Sequence, residues 1–367
     1  SIVNNLNVIG VETLQDAVEY LQGTKEITPT VTDTRDIFYH TINEYEADFS
    51  HVQGQENIKR AMEIAAAGGH NVIMIGPPGA GKTMLAKRLP SILPSLTLPE
   101  ALETTKIHSV AGKLGTKSHL VSQRPFRSPH HTISDAALVG GGSYPQPGEI
   151  SLAHNGVLFL DELPEYKRTV LEVMRQPLEE RKVCISRAKM AVEFPANFML
   201  IASMNPCPCG YYNHPDRDCT CPPGAVEKYL NRISGPLLDR IDLHVEVTPV
   251  SFDEISSNRK NETSAEIRER VVKARETQTK RFDKMDDVHC NAMMSPVMVK
   301  DVCEINEAGK NLLKKAMERL GLSARAYDRI LKVSRTIADL AGTEEIRVEH
   351  LAEAIQYRSL DRENWAG

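Results

Sequence analysis

The chain has 367 residues, of which 41% are apolar and 25% charged, and its formal net charge is −5. This length fits about two domains with a sizeable core, and the composition is that of an ordinary globular protein rather than a disordered or fibrous one. The negative charge argues against a uniformly basic nucleic-acid-binding protein, and no apolar run approaches the roughly 20 residues that a membrane-crossing helix needs. The start shows no signal-peptide pattern and no initiator Met, so we expect a cytoplasmic chain that begins inside a longer protein.

The first 47 residues predict a small segment ahead of the main body. Leu6–Val11 has the pattern of a short strand, and a helix is expected to begin near Thr13 and to end at Gly23. The residues that follow are polar and show no clean period. We therefore predict that residues 1–23 are a separate piece and that residues 24–47 are a linker.

Residues 48–252 predict an α/β fold, in which a parallel sheet is flanked by helices. Short apolar runs alternate with helical stretches, and three runs have the character of buried strands: Asn71–Ile75, Gly156–Leu160 and Phe198–Ala202. Polar residues follow each run at its carboxyl end, which is where open α/β sheets bind their ligands. The functional site is therefore expected at that edge of the sheet.

Residues 253–367 predict a smaller, all-helical lid domain. Strand patterns stop and helical spacing takes over, with Gly321 and Gly342 as the expected ends of two helices. The predicted helices are Glu262–Arg281, Ser295–Glu307, Ala308–Leu320, Ala324–Ala341 and Val348–Tyr357. For most of these residues we expect a role in packing only.

A glycine-rich segment, Gly76–Thr83, lies between the first predicted strand and a helical stretch and follows the pattern Gly-x4-Gly-Lys-Thr. Glycines at these positions let successive backbone N–H groups point inward at phosphate oxygens. We expect Lys82 to place its charge at the β- and γ-phosphates of ATP and the Thr83 hydroxyl to ligate Mg²⁺. The residues predicted to line the phosphates are Gly76, Pro77, Pro78, Gly79, Ala80, Gly81, Lys82, Thr83 and Met84.

Two acids, Asp161 and Glu162, follow the second predicted strand. Beside a phosphate-binding loop, we expect Asp161 to hold Mg²⁺ and Glu162 to orient and deprotonate the attacking water, which is the chemistry of ATP hydrolysis. Asn205 follows the third strand, where its amide is placed to hydrogen-bond the γ-phosphate or the water. The alternative for Asn205 is an Asx turn ahead of Pro206.

Four of the seven cysteines lie close together, as the pairs Cys207/Cys209 and Cys219/Cys221. Four thiolates this close are able to surround one tetrahedral Zn²⁺, and a metal would stabilise a segment that has few apolar residues. The one-residue gap within each pair is tighter than usual. The prediction is a structural zinc site, with free thiols and disulfides as the alternatives.

Two segments carry local positive charge although the whole chain is acidic. Residues 104–134 contain five basic residues and no acid. Residues 182–194 alternate apolar and polar side chains around a short basic turn, which predicts a hairpin. Each segment is either a surface that faces nucleic-acid phosphates or simply a solvated one. The cations predicted to contact DNA are Arg124, Arg127, Arg187 and Lys189.

Together these motifs resemble those of AAA+ ATPases of the magnesium-chelatase-like branch, and of the ComM/YifB family in particular. The resemblance covers about residues 1–365. Members of this family carry a further Lon-protease-like N-terminal domain, and residues 1–23 look like its last piece. The features that carry the resemblance are Gly76–Thr83, Asp161 with Glu162, Asn205, Leu237–Asp242, Ser323–Arg325, Arg124–Ser134 and the Cys207–Gly210 cluster.

The resemblance implies roles for three further polar residues. Asn205 corresponds to the sensor 1 position, and Arg325 is similar to the sensor 2 arginine of a helical lid. Arg240 is similar to the arginine finger that reaches the nucleotide of a neighbouring subunit, with Arg232 as the rival candidate. An arginine supplied by a neighbour requires assembly, so the resemblance implies a ring of identical chains, with a hexamer as the family expectation.

The function implied by the resemblance is an ATP-driven ring motor on DNA, a helicase or branch-migration enzyme related to competence or recombination. In related ring ATPases a hairpin such as residues 182–194 lines the central pore, where cations grip the nucleic-acid backbone. One alternative is a chelatase-like ATPase that remodels a protein partner during metal insertion. Another is a nucleotide-binding switch with slow turnover, against which the Asp161/Glu162 pair argues.

Overall fold

The computed structural model describes residues 8–29, 45–114, 120–142, 144–187, 190–214, 216–250, 261–285 and 288–358, without the side chains of Arg187 and Met190. The chain divides into two compact units, residues 1–44 with 96–123 and residues 45–95 with 124–367. No helix in the described ranges combines the length and the apolar character that crossing a membrane requires. The predicted domain boundaries near residues 23, 47 and 252 stay predictions.

Strands and helices are interspersed up to β9, and the described elements after it are helices. The strands are β1 (Val72–Ile75), β2 (Phe126–Arg127), β3 (Gly140–Gly141), β4 (Gln146–Pro147), β5 (Val157–Leu160), β6 (Lys182–Arg187), β7 (Met190–Pro195), β8 (Met199–Met204) and β9 (Leu243–Glu246). The helices are α1 (Leu14–Leu21), α2 (Glu56–Gly68), α3 (Lys82–Ile92), α4 (Leu98–Val110), α5 (Asp135–Val139), α6 (Glu149–Leu152), α7 (Arg168–Val173), α8 (Arg175–Glu180), α9 (Ala225–Leu230), α10 (Gly235–Leu238), α11 (Ser264–Arg281), α12 (Pro296–Val302), α13 (Glu307–Leu320), α14 (Ala324–Leu340) and α15 (Val348–Gln356). Short 3₁₀ helices cover Phe49–His51, Leu163–Glu165 and Asn291–Met293.

In the smaller unit, α1 and α4 each begin at a capping threonine. The hydroxyls of Thr13 and Thr97 accept hydrogen bonds from the third backbone N–H of their helices, which satisfies a donor that the helix itself leaves unpaired. The helix predicted near Thr13 is confirmed. The strand predicted over Leu6–Val11 is wrong for its described part, residues 8–11, which are irregular, because a strand needs a hydrogen-bonded neighbour and the described residues supply none there.

The larger unit is built on a five-stranded parallel sheet with the strand order β2–β5–β8–β1–β9. Ile75 at the end of β1 pairs with Met204 of β8 on one side and with Glu246 of β9 on the other. Leu160 at the end of β5 pairs with Ala202 of β8. The carboxyl ends of β5, β8 and β1 therefore lie side by side.

Both faces of this sheet are buried, which explains why its strands are continuous apolar runs in the sequence. Successive side chains point to opposite faces. In β1, Val72 and Met74 pack into a core cluster that includes residues of α2, α3 and the C-terminal helices. Ile73 and Ile75 pack into a second cluster, with residues of α7 and α8. The predicted α/β fold, a parallel sheet flanked by helices, is confirmed.

Helices α11 to α15 form the all-helical region that the sequence predicts, and α14 packs against both α11 and α15. The predicted helix Ser295–Glu307 is too long, since α12 covers only Pro296–Val302. The helix does not continue to Glu307 because Asn306 is the N-cap of α13. The Asn306 side chain accepts a hydrogen bond from the N–H of Gly309. An Asn in this role favours a new helix start over continuation of the previous helix.

β6 and β7 pair antiparallel along their whole length and form the predicted hairpin. Val183 and Ile185 of β6 are buried in the core cluster that also contains Ile73. The predicted DNA contact Lys189 and the side chain of Arg187 lie outside the described residues.

A buried carboxylate joins the helical region to the sheet. Asp242 precedes β9 and is 1% exposed. It accepts hydrogen bonds from the Asn71 N–H at 3.0 Å and from the Arg329 guanidinium of α14 at 2.9 Å. Burial alone would raise the pKa of Asp242, but the charge of Arg329 and the contact with His70 outweigh it and hold the pKa far below its usual value.

We predict that Asp242→Ala lowers the free energy of unfolding by about 3 kcal/mol, because it leaves Arg329 without its counter-charge at a buried site. Asp239→Ala is the matched control: its partner Arg325 is largely exposed, so the loss should stay below about 1 kcal/mol. Urea unfolding measures both losses. Equal losses in the two variants would contradict the role assigned to Asp242.

The same variant has an expected pH dependence. Because the folded pKa of Asp242 is lowered, its contribution is fully present above the ordinary aspartate pKa of about 4 and is lost as the pH falls toward the folded pKa. The difference in unfolding free energy between the wild type and Asp242→Ala should therefore shrink as the pH falls below about 4.

Candidate functional site

The phosphate loop, residues Gly76–Thr83, connects the end of β1 to the start of α3. Gly81 caps α3 in the left-handed conformation with φ +84°, and Gly79 also has a positive φ of +78°, which glycine adopts without strain. A Cβ on Gly76 would lie 2.3 Å from the Val247 carbonyl oxygen, so this strand end requires glycine. The loop thus brings backbone N–H groups next to the N-terminus of α3, an arrangement that suits anions.

Gln55 supports the middle of the phosphate loop, a contact that the sequence analysis missed. Its amide Nε2 donates to the Ala80 carbonyl at 2.9 Å and to the Thr248 carbonyl at 3.3 Å. Gln55 lies 25 positions before Ala80, so no local pattern marks it. The predicted loop residues with exposed side chains or backbone are Pro78, Gly79 and Met84.

Lys82 is buried within this loop. Its amine donates to the carbonyls of Gly76 at 2.6 Å and Pro77 at 2.9 Å, and to Asn205 Oδ1 at 3.1 Å. Burial lowers the pKa of Lys82, and the negative charge of Asp161 opposes that shift. The amine and the Asn205 amide therefore meet at the ends of β1 and β8, where the sequence analysis expected them.

Asp161 lies at the end of β5 and accepts hydrogen bonds from three donors. The Thr83 hydroxyl donates to Oδ2 at 2.8 Å, the Glu162 N–H donates to Oδ1 at 3.1 Å, and the Ser203 hydroxyl also donates to Oδ1. Ser203 was not predicted; its signal in the sequence is a hydroxyl two residues before Asn205. The distance from Thr83 Oγ1 to Asp161 Oδ2 is close to the separation of about 2.9 Å between adjacent oxygen ligands of octahedral Mg²⁺.

Glu162 has a positive φ of +54°, and for a non-glycine residue such strain is typical of functional sites. Its side chain is 54% exposed, and Oε2 lies 3.5 Å from Nδ1 of His131. The His131 ring packs on His130, with centroids 4.1 Å apart, and meets Tyr166 edge-on at 6.4 Å. The sequence analysis missed this contact, because it treated residues 104–134 only as a basic segment.

The loop between β8 and α9 brings the clustered cysteines together. The sulfur atoms of Cys207, Cys209, Cys219 and Cys221 all lie within 4.8 Å of one another. Cys207 and Cys209 are separated by 3.3 Å, Cys209 and Cys219 by 3.6 Å, and Cys207 and Cys219 by 3.8 Å. The thiols are free, and sulfurs around a tetrahedral Zn²⁺ lie about 3.8 Å apart when each Zn–S bond is about 2.3 Å. The cluster therefore has the geometry of a metal site.

The thiols of this cluster ionise differently. Burial opposes ionisation of Cys209, but hydrogen bonds from the Tyr211 N–H and the Cys207 thiol lower its pKa to about 5. Burial and the contacts with the other thiols raise the pKa of Cys221 to about 12. One thiolate is thus stabilised by its neighbours, and a bound dication would ionise the other ligands as well.

Two family models match the chain. The model described as magnesium chelatase, subunit ChlI, matches residues 48–255, and the model described as its C-terminal part matches residues 261–358. Competence protein ComM of Haemophilus influenzae is 46% identical over 99% of this chain and 70% of its own length. The YifB proteins of Salmonella typhimurium and Escherichia coli, both described as uncharacterized, are 48% and 47% identical over 86% of this chain and 61% of their own length. The chain belongs to the ComM/YifB family of magnesium-chelatase-like AAA+ proteins.

Membership of the ComM/YifB family confirms the predicted resemblance. The chain spans 61–70% of the length of these relatives. The phosphate loop, the Asp161/Glu162 pair and the cysteine cluster all lie within the residues that the first model matches, and Arg325 lies within the second.

The arginine finger implied by the ComM/YifB resemblance, Arg240, is engaged within its own chain. It is 7% exposed, and its guanidinium pairs with Glu179 at 2.6 Å and donates to the Pro236 carbonyl at 2.5 Å. The rival candidate, Arg232, has a half-exposed side chain that pairs with Glu165 at 2.9 Å. Of the two, Arg232 is the more open to solvent, and the role of each stays a prediction.

Arg325, for which the resemblance implies a sensor 2 role, lies on the first turn of α14. Ser323 caps this helix by accepting a hydrogen bond from the Ala326 N–H at 3.2 Å. The Arg325 side chain is 64% exposed and lies 3.4 Å from Asp239. Its described contact is therefore with the segment before β9 and not with the phosphate loop, and its sensor role stays a prediction.

The two basic residues near β2 that were predicted to contact DNA are engaged inside the chain. Arg124 donates to the carbonyls of Pro94 at 2.5 Å and Asn155 at 2.8 Å. Arg127 forms a two-point pair with Glu149 at 2.6 and 2.7 Å. These bonds hold β2 in place, and the DNA contacts predicted for both residues stay predictions.

Proposed function

We propose that the chain is an Mg-ATP-hydrolysing AAA+ ring motor that acts on DNA. The observation that carries the ATPase part is the pair of hydrogen bonds that join Lys82 to Asn205 and Thr83 to Asp161. They place a cation, two oxygen ligands and an amide at the adjacent ends of β1, β5 and β8. This is the set of groups that phosphoryl transfer from ATP requires.

These residues fit both ATP and Mg²⁺. Lys82 and the N–H groups of the loop suit phosphate oxygens, and the Thr83 hydroxyl and Asp161 carboxylate are the hard oxygen ligands that Mg²⁺ prefers. When bound, Mg²⁺ supplies positive charge that offsets the charge of the β- and γ-phosphates. The Lys82 amine would exchange its bonds to the Gly76 and Pro77 carbonyls for bonds to phosphate oxygens.

We propose Glu162 as the general base. Its carboxylate is half exposed and therefore accessible to a water molecule, whereas that of Asp161 already accepts three hydrogen bonds. Glu162 would accept the proton of the attacking water, and the Asn205 amide would orient that water or the γ-phosphate.

We predict that Glu162→Gln still binds ATP but lowers its turnover by about 100-fold or more, because the amide cannot accept the proton. Lys82→Ala should abolish nucleotide binding or turnover, because it removes the cation at the phosphates. Fluorescent-nucleotide binding and phosphate release measure the two properties separately.

Glu172→Gln is the matched control for the Glu162 variant. Glu172 belongs to α7, and its carboxylate pairs with Arg175 one helical turn away. The same loss of charge there should leave turnover unchanged. Normal turnover by Glu162→Gln would remove this residue from the role of base.

We also propose that the chains assemble head to tail into a ring, with a hexamer as the family expectation. The support is family membership, together with the role that the resemblance gives to Arg240. An arginine supplied by the neighbouring subunit can follow the charge that spreads over the phosphoryl oxygens in the transition state. To act in this way, Arg240 would exchange its pair with Glu179 for the neighbour's nucleotide.

We predict that Arg240→Ala retains ATP binding and loses hydrolysis by about 1,000-fold or more. Mixing it in equal amounts with Lys82→Ala should recover about a quarter of the wild-type rate, since half of the sites are intact and half of those face an intact arginine. The measurement is ATP turnover of the separate and mixed subunits.

Glu179→Ala is the control, because it removes the same ion pair but leaves the arginine, and it should keep its activity. The Arg232→Ala variant is carried through the same mixing experiment. Recovery with Arg232→Ala alone would transfer the role to that residue. No recovery with either variant would contradict an arginine supplied in trans.

The DNA part of the proposal is supported by the family and by the hairpin. One relative is named a competence protein. β6 and β7 form a hairpin, with Arg187 at the end of β6 and Lys189 between the two strands in the sequence. Phosphate contacts there would give sequence-independent, salt-sensitive affinity. The alternative, ATP-driven remodelling of a protein partner during metal insertion, is favoured by the description of the matching models as a magnesium chelatase subunit.

We predict that single-stranded or forked DNA stimulates ATP turnover, and that Arg187→Glu/Lys189→Glu removes the stimulation and weakens the salt dependence of binding. Lys314→Glu/Lys315→Glu, on the exposed side of α13, makes the same change in net charge and should leave stimulation intact. ATP turnover and DNA binding are measured at several salt concentrations. If DNA does not stimulate ATP turnover by the wild type, and the hairpin variant behaves as the wild type does, the protein-remodelling alternative is favoured.

The remaining parts of the proposal follow the sequence analysis. We propose a structural Zn²⁺ held by Cys207, Cys209, Cys219 and Cys221, supported by the sulfur separations, and a cytoplasmic location. We further assign residues 1–23 to the end of a Lon-like domain, 24–47 to a linker, 48–252 to the ATPase domain and 253–367 to the helical lid.

A further inference from the structure

The cysteine loop, residues 206–224, begins directly beside the phosphate loop. The residue before it, Asn205, accepts a hydrogen bond from the Lys82 amine at 3.1 Å. The loop then makes a turn in which the Gly210 N–H donates to the Cys207 carbonyl at 3.0 Å. The first two cysteines therefore sit in a turn that starts two residues after a contact of the phosphate-binding lysine.

Gly210 packs directly against the phosphate loop. It is buried, with φ +86°, and a Cβ there would lie 2.5 Å from Cδ and 2.9 Å from Cγ of Pro78. The two loops thus touch at a point where even one methyl group would overlap. A movement of the cysteine turn has to move Pro78 or leave it unsupported.

The far end of the cysteine loop returns to the same place. Helix α9 follows Gly224, and its buried Tyr229 lies beside the Asn205 backbone N–H. The residues at both ends of the loop therefore lie near Asn205. Between them, none of the described residues in 213–224 is buried, so apolar packing does not hold this part of the loop. The four thiols meet within this loop, where Arg217 also contacts Tyr211, and a metal at such a site supplies folding energy that the segment lacks.

We propose that a Zn²⁺ ion bound by the four cysteines controls the phosphate loop, so that the affinity for ATP depends on whether the cluster holds its metal. The metal fixes the turn at Cys207–Gly210, and the turn supports Pro78 and Asn205 from one side. This inference rests on the proposed binding of ATP at Lys82. It adds a regulator to that site, namely the availability of a thiol-binding metal ion.

The size of the change in ATP affinity depends on the fraction of chains whose phosphate loop has the conformation that binds ATP. When the turn loses its metal, the phosphate loop is no longer held in the described conformation by Gly210. If the competent conformation falls to about a tenth of the population, the apparent affinity for ATP falls about tenfold. The chemical groups that contact the nucleotide are unchanged, so the rate of hydrolysis at saturating ATP changes less than the affinity.

The experiment uses the whole chain, loaded with Zn²⁺ or stripped with a zinc-selective chelator, in excess Mg²⁺. Metal analysis gives the zinc content, and the fluorescence of an N-methylanthraniloyl derivative of ATP gives the affinity. We expect one Zn²⁺ per chain, an affinity about tenfold lower after stripping, and recovery when Zn²⁺ is restored. Circular dichroism checks that the rest of the fold survives stripping.

Three variants distinguish the effect of the metal from the effect of the contact between Gly210 and Pro78. Cys209→Ser should lose zinc and bind nucleotide as the stripped protein does, whereas Cys184→Ser, an exposed cysteine outside the cluster, should behave as wild type. Gly210→Ala should keep its zinc but bind nucleotide more weakly, because its Cβ displaces Pro78 without removing a ligand. Gly210→Ala therefore tests the contact with Pro78, and Cys209→Ser tests the metal.

Several outcomes would overturn the inference. If the wild type holds no zinc, the proposed metal site is wrong. If the zinc-loaded and zinc-free proteins bind nucleotide with equal affinity, the proposed control of the phosphate loop is wrong, even where the metal is present. If Gly210→Ala binds nucleotide with the affinity of the wild type, the metal does not act on the phosphate loop through the contact of Gly210 with Pro78. Failure of the zinc-loaded wild type to bind nucleotide at all is a different result, because it overturns the proposed function itself and the inference with it.

Discussion

Ile75 of β1 pairs in register with Met204 of β8. This pairing places the phosphate loop, which follows β1, beside Asn205, which follows β8. The hydrogen bond between Lys82 and Asn205 joins residues 123 positions apart, and it forms only where both strands end at the same level. A slip by one residue would turn every side chain of β1 toward the opposite core cluster. The apolar packing on both faces of the sheet therefore fixes the polar geometry at its edge.

Two ion pairs of unequal strength link α14 to the segment before β9. Arg329 reaches the buried Asp242 directly before β9, whereas Arg325 makes only a long, exposed contact with Asp239. Both arginines belong to α14, one helical turn apart. A buried pair resists disruption much more than an exposed one. The Asp242 pair therefore contributes more than the Asp239 pair to holding α14 beside β9.

The sequence predicts the central part of this structure because its signals are local. The phosphate loop follows an apolar strand directly, and the Asp161/Glu162 pair does the same, so strand order alone brings them together. Contacts made across long sequence separations leave no such signal: Gln55 supports the loop from an earlier helix, and His131 reaches Glu162 from a segment identified only by its charge. The partner of Arg127 leaves no local signal either, since the acid that pairs with it, Glu149, lies 22 positions away.

Two groups of the candidate site, Lys82 and Asp161, are bonded to several partners within the chain. Lys82 already holds two loop carbonyls and Asn205, and Asp161 already accepts three donors. A nucleotide must therefore replace existing bonds, and the net gain on binding is the small difference between two well-bonded states. Such a difference is sensitive to displacements of the loop that would hardly affect a site with unpaired groups. The contact of Gly210 with Pro78 acts on this small difference, so a metal-dependent turn outside the phosphate site is expected to change its affinity.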